Sequence, residues 1–175
     1  MTFLLDVNVL IALIDPAHVQ HNAAHDWFAA QGKKAWATCP LTENGVLRIV
    51  GHVRYPNSPG TPAAAAQLMS GLCALPGHQF WPDDISLLDT KKLNPARLLS
   101  SAQVTDSYLL ALACAHGGKL ATFDRRLVVD AVKGRKGIAS DWLIAFVVCT
   151  VTLQSASCVQ HCRLGCNKVT RFSTR

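Results

Sequence analysis

The fold is indicated by residues 3–14, which read FLLDVNVLIALI. A short apolar run ends at Asp6, and a second apolar run, from Val7 to Ile14, is too long to continue the same strand. We therefore predict a buried strand at residues 3–5 that is followed directly by a helix. The turn-forming pair Asp15-Pro16 ends that helix.

Strands and helices alternate along the sequence up to about residue 132. Pro40, for example, suits the first turn of a helix that ends at Gly51. We expect further strands at 35–38, 79–81 and 119–123, helices at 17–31, 40–51, 63–74, 94–101 and 125–132, and one more helix that Thr105 or Asp106 caps and that ends at Gly117. Such alternation predicts an α/β fold in which helices cover both faces of a short, mostly parallel sheet.

The composition is that of a chain with one well-packed core. Its 175 residues fit one domain better than two. Half of them are hydrophobic and 16% are charged, which excludes disordered, collagen-like and acidic-tail proteins. The net charge of +6 favours a polyanion partner, but residues 1–143 carry 13 basic and 11 acidic side chains, so most of the excess lies beyond them. We predict a domain at 1–143 and an atypical, poorly ordered extension at 144–175.

The cysteines and the apolar segments indicate the compartment. Seven cysteines without a secretory signal argue against a disulfide framework. The longest apolar run, Trp142 to Leu153, is shorter than the roughly 20 residues that a membrane helix needs. We therefore expect a cytoplasmic protein without a membrane partner. The tail holds Cys158, His161, Cys162 and Cys166, but their spacing is unsuited to a closed tetrahedral zinc site.

Four acidic residues lie next to predicted strands or at predicted helix starts. Asp6 and Asp124 follow strands, Asp106 opens a helix, and Glu43, the only glutamate, lies in the first turn after Pro40. An aspartate at a helix start is ordinarily an N-cap, which is the simpler explanation for each aspartate taken singly. In a parallel sheet, however, all four positions gather at the carboxyl edge of the strands, where ligands bind.

Four carboxylates at one edge would repel one another strongly unless cations neutralised them. Hard oxygen ligands with no nearby His or Cys favour Mg²⁺ or Mn²⁺. A cation held there can activate water for in-line attack on a phosphodiester bond. Arg125 directly follows Asp124 and can meet a phosphate backbone.

Three runs, FLLDVNVLIAL at 3–13, TENGVLRIV at 42–50 and VTDSYLLALACAHGGKLATFD at 104–124, resemble in this order the PIN domain, specifically the VapC toxins of bacterial toxin–antitoxin pairs. The resemblance covers about residues 2–132 and extends to a final strand near 137–143. It implies a three-layer α/β/α fold and a Mg²⁺-dependent endoribonuclease that a cognate antitoxin inhibits and that forms a homodimer. The family's four catalytic and metal-binding acids fall on Asp6, Glu43, Asp106 and Asp124, and its accompanying polar residues on Asn8 and Thr105. We expect Asn8 and Thr105, together with Arg125, to bind the RNA substrate.

Other interpretations use the same residues. A catalytically silent module of this fold would bind RNA or protein without cleavage, although all four acids are present to support cleavage. A phosphatase with an aspartyl nucleophile also begins with an apolar strand that ends in Asp, but it needs a second Asp where this chain has Asn8. His18, His21 and His25 lie on one helical face, for which a solvated surface is a simpler explanation than a metal site.

Overall fold

A computed structural model describes residues 1–125, 127 and 129–133 of the chain. The strand expected near 137–143 and the extension at 144–175 lie outside the described residues. Within the described part, no helix has both the length and the apolar character needed to cross a bilayer.

The described strands form one parallel sheet. They are β1 (Phe3–Leu5), β2 (Trp36–Thr38), β3 (His78–Phe80) and β4 (Lys119–Ala121), in the order β3-β2-β1-β4. Leu4 pairs with Ala37 on one side and with Leu120 on the other. The carboxyl ends of all four strands therefore lie along one edge, as the alternating sequence pattern predicts.

Among residues 1–133 that the structure describes, five α-helices cover this sheet, and two short 3₁₀ turns connect elements. The helices are α1 (Val7–Ile14), α2 (His21–Ala30), α3 (Pro40–Val50), α4 (Pro62–Cys73) and α5 (Ala102–Ala115), and the turns are Gly32–Lys34 and Pro95–Arg97. Trp27 and Phe28 of α2 contact Phe3 and Trp36 on one face of the sheet. On the other face, Leu4, Ala37 and Leu120 belong to a buried cluster that includes residues 108–113 of α5. This arrangement confirms the α/β fold with helices on both faces.

Several predicted helix boundaries are wrong for local reasons. Helix α2 begins at His21 rather than at residue 17, because the Asp15 side chain and carbonyl accept the amides of Ala17 and His18 and hold a turn there. The helix expected at 94–101 is reduced to a single 3₁₀ turn. The one expected at 125–132 is not formed by the described residues, in which Val132 instead makes a β-bridge to Leu93.

Helix α5 begins earlier than predicted, and this changes the interpretation of Asp106. The helix starts at Ala102, and the Gln103 side chain accepts the amides of Leu99 and Ser100 just before it. Neither Thr105 nor Asp106 is the N-cap, because both lie one turn inside the helix. Helix capping therefore does not explain why an aspartate stands at position 106.

A buried carboxylate fixes the long loop between α3 and α4 to the end of α1. Asp15 is 5% exposed and accepts hydrogen bonds from the Ala17 amide, the Asn57 side chain and the Tyr55 hydroxyl. Burial acts to raise the pKa of Asp15, but these hydrogen bonds outweigh it and lower that pKa below its usual value. Burial, the same hydrogen bond and the charge of Asp15 raise the pKa of Tyr55 to about 12.

Candidate metal centre at the carboxyl edge of the sheet

Asp6 is the best-fixed acid at this edge. It follows β1, caps α1 through a 2.6 Å hydrogen bond from the Val7 amide to Oδ1, and is 8% exposed. Its other oxygen, Oδ2, accepts the Thr122 hydroxyl at 2.5 Å and the Asn8 side-chain amide at 2.8 Å. The N-cap role is thus real, but it uses only one oxygen of the carboxylate.

Asn8 and Thr122 join the end of β1 to the segment after β4. Asn8 Nδ2 donates a second hydrogen bond, to Thr122 Oγ1 at 3.0 Å, and Asn8 Oδ1 accepts the Phe123 amide at 3.1 Å. Thr122 Oγ1 also accepts the Asp124 amide at 3.1 Å. The hydrogen bonds therefore position Asp6 and the backbone of Asp124 as one unit.

Three of the four acids are close enough to act on each other electrostatically. Burial is the main cause that raises the pKa of Asp6, and the charge of Asp124 raises it further. Burial also raises the pKa of Asp106, followed by the charges of Asp6 and Asp124. We refer to Asp6, Asp106 and Asp124 as the acidic cluster.

The acidic cluster fits a divalent cation. Within the described residues, no Lys or Arg forms an ion pair with Asp6 or Asp106. Burial and the neighbouring charges both disfavour the charged forms of Asp6 and Asp106, and a hard cation bound beside them would remove that penalty. The donor set is made of oxygen atoms, which is the set that Mg²⁺ and Mn²⁺ prefer.

Glu43 lies along the same edge but in a separate group of side chains. It is in the first turn of α3, and its Oε1 accepts the Thr38 hydroxyl at 2.7 Å. Thr38 Oγ1 also lies 2.8 Å from His78 Nε2, and since its hydrogen goes to Glu43, it accepts the hydrogen bond from His78.

The charge of Glu43 acts on Cys73 and His78. Burial and then this charge raise the pKa of the Cys73 thiol, whereas burial lowers the pKa of His78 and Glu43 opposes that shift. We refer to Glu43, Thr38, Cys73 and His78 as the Glu43 cluster. The structure thus brings together three of the predicted acids and gives the fourth different neighbours.

The remaining predicted site residues lie at the surface of this edge. Thr105 is exposed on α5, one residue before Asp106, and Arg125 is exposed directly after Asp124.

The histidines of α2 contact the end of α1 as well as solvent. His21 Nδ1 lies 2.8 Å from the Ala12 carbonyl, and His25 Nε2 lies 3.0 Å from the Leu13 carbonyl.

Sequence reasoning missed Thr122, Thr38, His78 and Cys73. Thr122 had a detectable signal, because it is a hydroxyl residue at the end of a predicted strand and two residues before Asp124. Thr38 ends β2 in the same way. Cys73 and His78 had no such signal, since only the packing of α4 and β3 brings them to Glu43.

This fold and this edge define a class: three-layer α/β proteins that present clustered carboxylates for a cation at the carboxyl ends of parallel strands. The chain belongs to the PIN domain family, which matches residues 3–133.

Similar proteins carry ribonuclease names. The chain is 46% identical over 134 residues to Ribonuclease VapC44 of Mycobacterium tuberculosis (strain ATCC 25618 / H37Rv), an alignment that covers 77% of this chain and 94% of the relative. It is 43% identical over 134 residues to Ribonuclease VapC39 of the same strain, covering 77% and 96%. A weaker likeness, with a TM-score of 0.43 and 9% identity over 71% of this chain and 89% of the other, is to VapBC2 from Rickettsia felis in a crystal structure with a DNA fragment from its promoter.

Proposed function

We propose that this chain is an endoribonuclease of the VapC kind, the toxin of a toxin–antitoxin pair, and that it cleaves RNA phosphodiester bonds with a divalent cation at the acidic cluster. The observation that carries the proposal is the grouping of the buried Asp6 carboxylate with the half-buried carboxylates of Asp106 and Asp124, close enough to repel one another, at the ligand-binding edge of the sheet. The ribonuclease names of relatives that align with three quarters of the chain support it.

The proposed cation is Mg²⁺, with Mn²⁺ as the alternative, and the acidic cluster with Glu43 supplies its ligands. A divalent cation at such a site lowers the pKa of an attacking water and neutralises charge that develops on the phosphate. Asp6 Oδ2 already accepts two hydrogen bonds and Oδ1 accepts one. Because each carboxylate oxygen has two lone pairs, Oδ1 is the atom of Asp6 that we assign to the cation.

Asn8 and Thr122 act in this proposal by positioning Asp6. Both Nδ2 hydrogens of Asn8 are engaged, by Asp6 and Thr122, and its Oδ1 accepts the Phe123 amide. These contacts favour a positioning role for Asn8 over direct contact with RNA. Thr105 and Arg125 are exposed beside Asp106 and Asp124, and we propose that they contact the sugar–phosphate backbone.

Protein partners are proposed from exposed apolar side chains on one side of the domain. Ile49 and Val53 border a groove of about 610 Å³ at the end of α3, and Leu68 on α4 is also exposed. Apolar side chains grouped in this way commonly mark protein interfaces. We propose that this surface serves a cognate antitoxin or a second copy of the chain, and that the protein acts in the cytoplasm, where its RNA substrate is. Light scattering on the purified chain, alone and with the antitoxin, measures both assemblies.

The experiment that tests the function compares the wild type with Asp6→Asn for cleavage of total bacterial RNA in Mg²⁺. We expect the substitution to lower cleavage by at least about a hundredfold, because the amide cannot supply the charge that a cation needs. Circular dichroism checks that the variant is folded. Asp26→Asn, an exposed site on α2, is the matched control and should cleave as the wild type does. Folded wild-type protein that binds RNA but does not cleave it would instead favour the silent module.

A further inference from the structure

We propose that Glu43, Cys73 and His78 form a second metal site, distinct from the acidic cluster and selective for a thiolate-binding cation of the Zn²⁺ class. One ligand atom from each residue lies within 4.8 Å of the other two, and all three side chains are half-buried. A sulfur, a nitrogen and an oxygen ligand come together at one point of the fold. A Mg²⁺ site needs only oxygen ligands, so this mixed set favours a cation of the Zn²⁺ class.

The backbone holds these ligands in place from three elements. Glu43 is in the first turn of α3, Cys73 is the last residue of α4, and His78 is the first residue of β3. The turn from α4 to β3 ends at Gly77, which has a φ of +87° and approaches the Lys33 carbonyl so closely that a Cβ there would lie 2.4 Å from it. Because this turn is constrained, Cys73 and His78 are presented to Glu43 by the fold itself.

The side chains are also oriented before any ion binds. Thr38 Oγ1 lies 2.7 Å from Glu43 Oε1 and 2.8 Å from His78 Nε2, so both side chains are held on the same side of the sheet. His78 packs against Trp36, with ring centroids 4.5 Å apart. Preorganised ligands lose little conformational entropy when a cation binds.

The donor set and the spacing suit tetrahedral coordination. Zn²⁺ binds Cys, His and carboxylate ligands at about 2.0 to 2.3 Å, which places tetrahedral ligands roughly 3.3 to 3.6 Å apart. The three ligand atoms, already within 4.8 Å of one another, reach that spacing by side-chain adjustments of about an ångström. A pocket of about 200 Å³ lined by Glu43, Met69 and Cys73 gives access for the ion and room for a fourth, solvent ligand.

A regulatory consequence follows, and it rests on the proposed function. Glu43 belongs both to this site and to the acids assigned to RNA cleavage. A Zn²⁺ ion that binds Glu43 together with Cys73 and His78 holds this carboxylate in the Glu43 cluster, so that Glu43 is not available as a ligand for the cation at the acidic cluster. Zn²⁺ should therefore inhibit Mg²⁺-dependent cleavage through Cys73 and His78.

Co²⁺ is the probe for the binding test, because it takes the place of Zn²⁺ and gives a charge-transfer absorption when a thiolate binds it. The full-length chain is used with Cys149, Cys158, Cys162 and Cys166 replaced by Ser, so that any thiolate absorption comes from a cysteine of the described residues. We expect one equivalent of Co²⁺ to give the thiolate absorption. Cys73→Ser should abolish it, and His78→Gln should weaken Co²⁺ binding at least tenfold, on the order of the loss seen when a metal site is disrupted.

Matched controls come from the same chain. Cys114 and His116 are a half-buried cysteine and a half-buried histidine at the end of α5, outside the Glu43 cluster, so Cys114→Ser and His116→Gln should keep the absorption. Asp6→Asn should keep it as well. Absence of the absorption in the parent protein, or an equal absorption in Cys73→Ser, overturns the site.

The inhibition test separates this inference from the proposed function. Cleavage by the same parent protein should fall at micromolar Zn²⁺, and Cys73→Ser should lose a smaller fraction of its own zinc-free rate. Equal inhibition of both proteins contradicts the regulatory role. If no variant cleaves RNA, the proposed function fails while the Co²⁺ result still decides the metal site.

Discussion

Thr122→Val tests how the acidic cluster is held, because valine has the shape of threonine without its hydroxyl. This hydroxyl donates to Asp6 Oδ2 at 2.5 Å and accepts from Asn8 Nδ2 at 3.0 Å and from the Asp124 amide at 3.1 Å. Thr122 is 1% exposed, so water does not replace the lost contacts.

The expected losses of stability and of cleavage rate follow from these contacts. A hydrogen bond to a charged group contributes about 1.5 to 3 kcal/mol, and a buried donor left without a partner costs about 1 to 3 kcal/mol. Because neighbouring contacts are not additive, we expect the free energy of unfolding to fall by roughly 2 to 4 kcal/mol. Cleavage should fall by about 10- to 100-fold, as expected when a partner that orients a metal ligand is lost.

Urea unfolding followed by circular dichroism measures the stability, and cleavage of labelled RNA at saturating Mg²⁺, under conditions in which the variant is folded, measures the rate. Thr122→Ser keeps the hydroxyl and should recover most of both. Thr2→Val, at the opposite end of the sheet, is the control and should change neither by much. A Thr122→Val protein with the stability and cleavage rate of the wild type would refute the role assigned to these hydrogen bonds.

Three further predictions concern the scaffold. The pKa of Asp15 is lower in the folded protein than the value of about 3.9 in the unfolded chain, so its contribution to stability is present above that value and is lost as the pH falls through the folded pKa. The difference in Tm between wild type and Asp15→Asn should therefore be largest near neutral pH and shrink toward about pH 3. A difference that grows on acidification contradicts this prediction. Tyr55→Phe removes one hydrogen bond to Asp15 and should lower the free energy of unfolding in urea by about 1 to 3 kcal/mol. An unchanged urea midpoint would contradict this prediction. Gly77→Ala should lower the Tm much more than Gly60→Ala does. Both glycines have positive φ, but only at Gly77 would a Cβ meet backbone atoms. Equal losses of Tm would show that this close approach does not affect stability.

The parts of the fold that the sequence predicted are those with local causes. Strand β1 and helix α1 match their predicted bounds because Asp6 both ends the apolar run and caps the helix. Helix α3 begins at Pro40 as predicted, because proline at the first position needs no amide partner. The parallel sheet follows from the alternation of such segments.

The wrong boundaries have causes that lie outside the segment concerned. The apolar residues of 125–132 suggested a helix, but Val132 pairs with Leu93, about forty residues earlier in the chain. Asp106 looked like an N-cap because the helix was predicted to begin there, whereas Gln103 accepts backbone amides just ahead of an earlier start.

The features of the candidate site likewise divide into those that the sequence could predict and those that it could not. The acids could be selected from the sequence because each lies near a strand end or a helix start. Their grouping could not, since it depends on how side chains pack at this edge. Strand β1 has β4 on one side and β2 on the other, yet Glu43, which follows β2, accepts the hydroxyl of Thr38, which also contacts His78 of β3. The contacts of Thr122 and Cys73 likewise exist only in the folded chain.

The central claim is that the acidic cluster binds a divalent cation with which the protein cleaves RNA. The most direct test measures cleavage of labelled total RNA by the full-length wild type and by Asp106→Asn, each with Mg²⁺ and with EDTA. Capping does not explain Asp106, so its substitution should spare the fold while it removes a ligand. We predict cleavage by the wild type in Mg²⁺, none in EDTA, and at least a hundredfold less by folded Asp106→Asn, on the order of the loss expected for a metal-site residue. Equal cleavage by the two proteins, or wild-type cleavage that persists in EDTA, would contradict the claim.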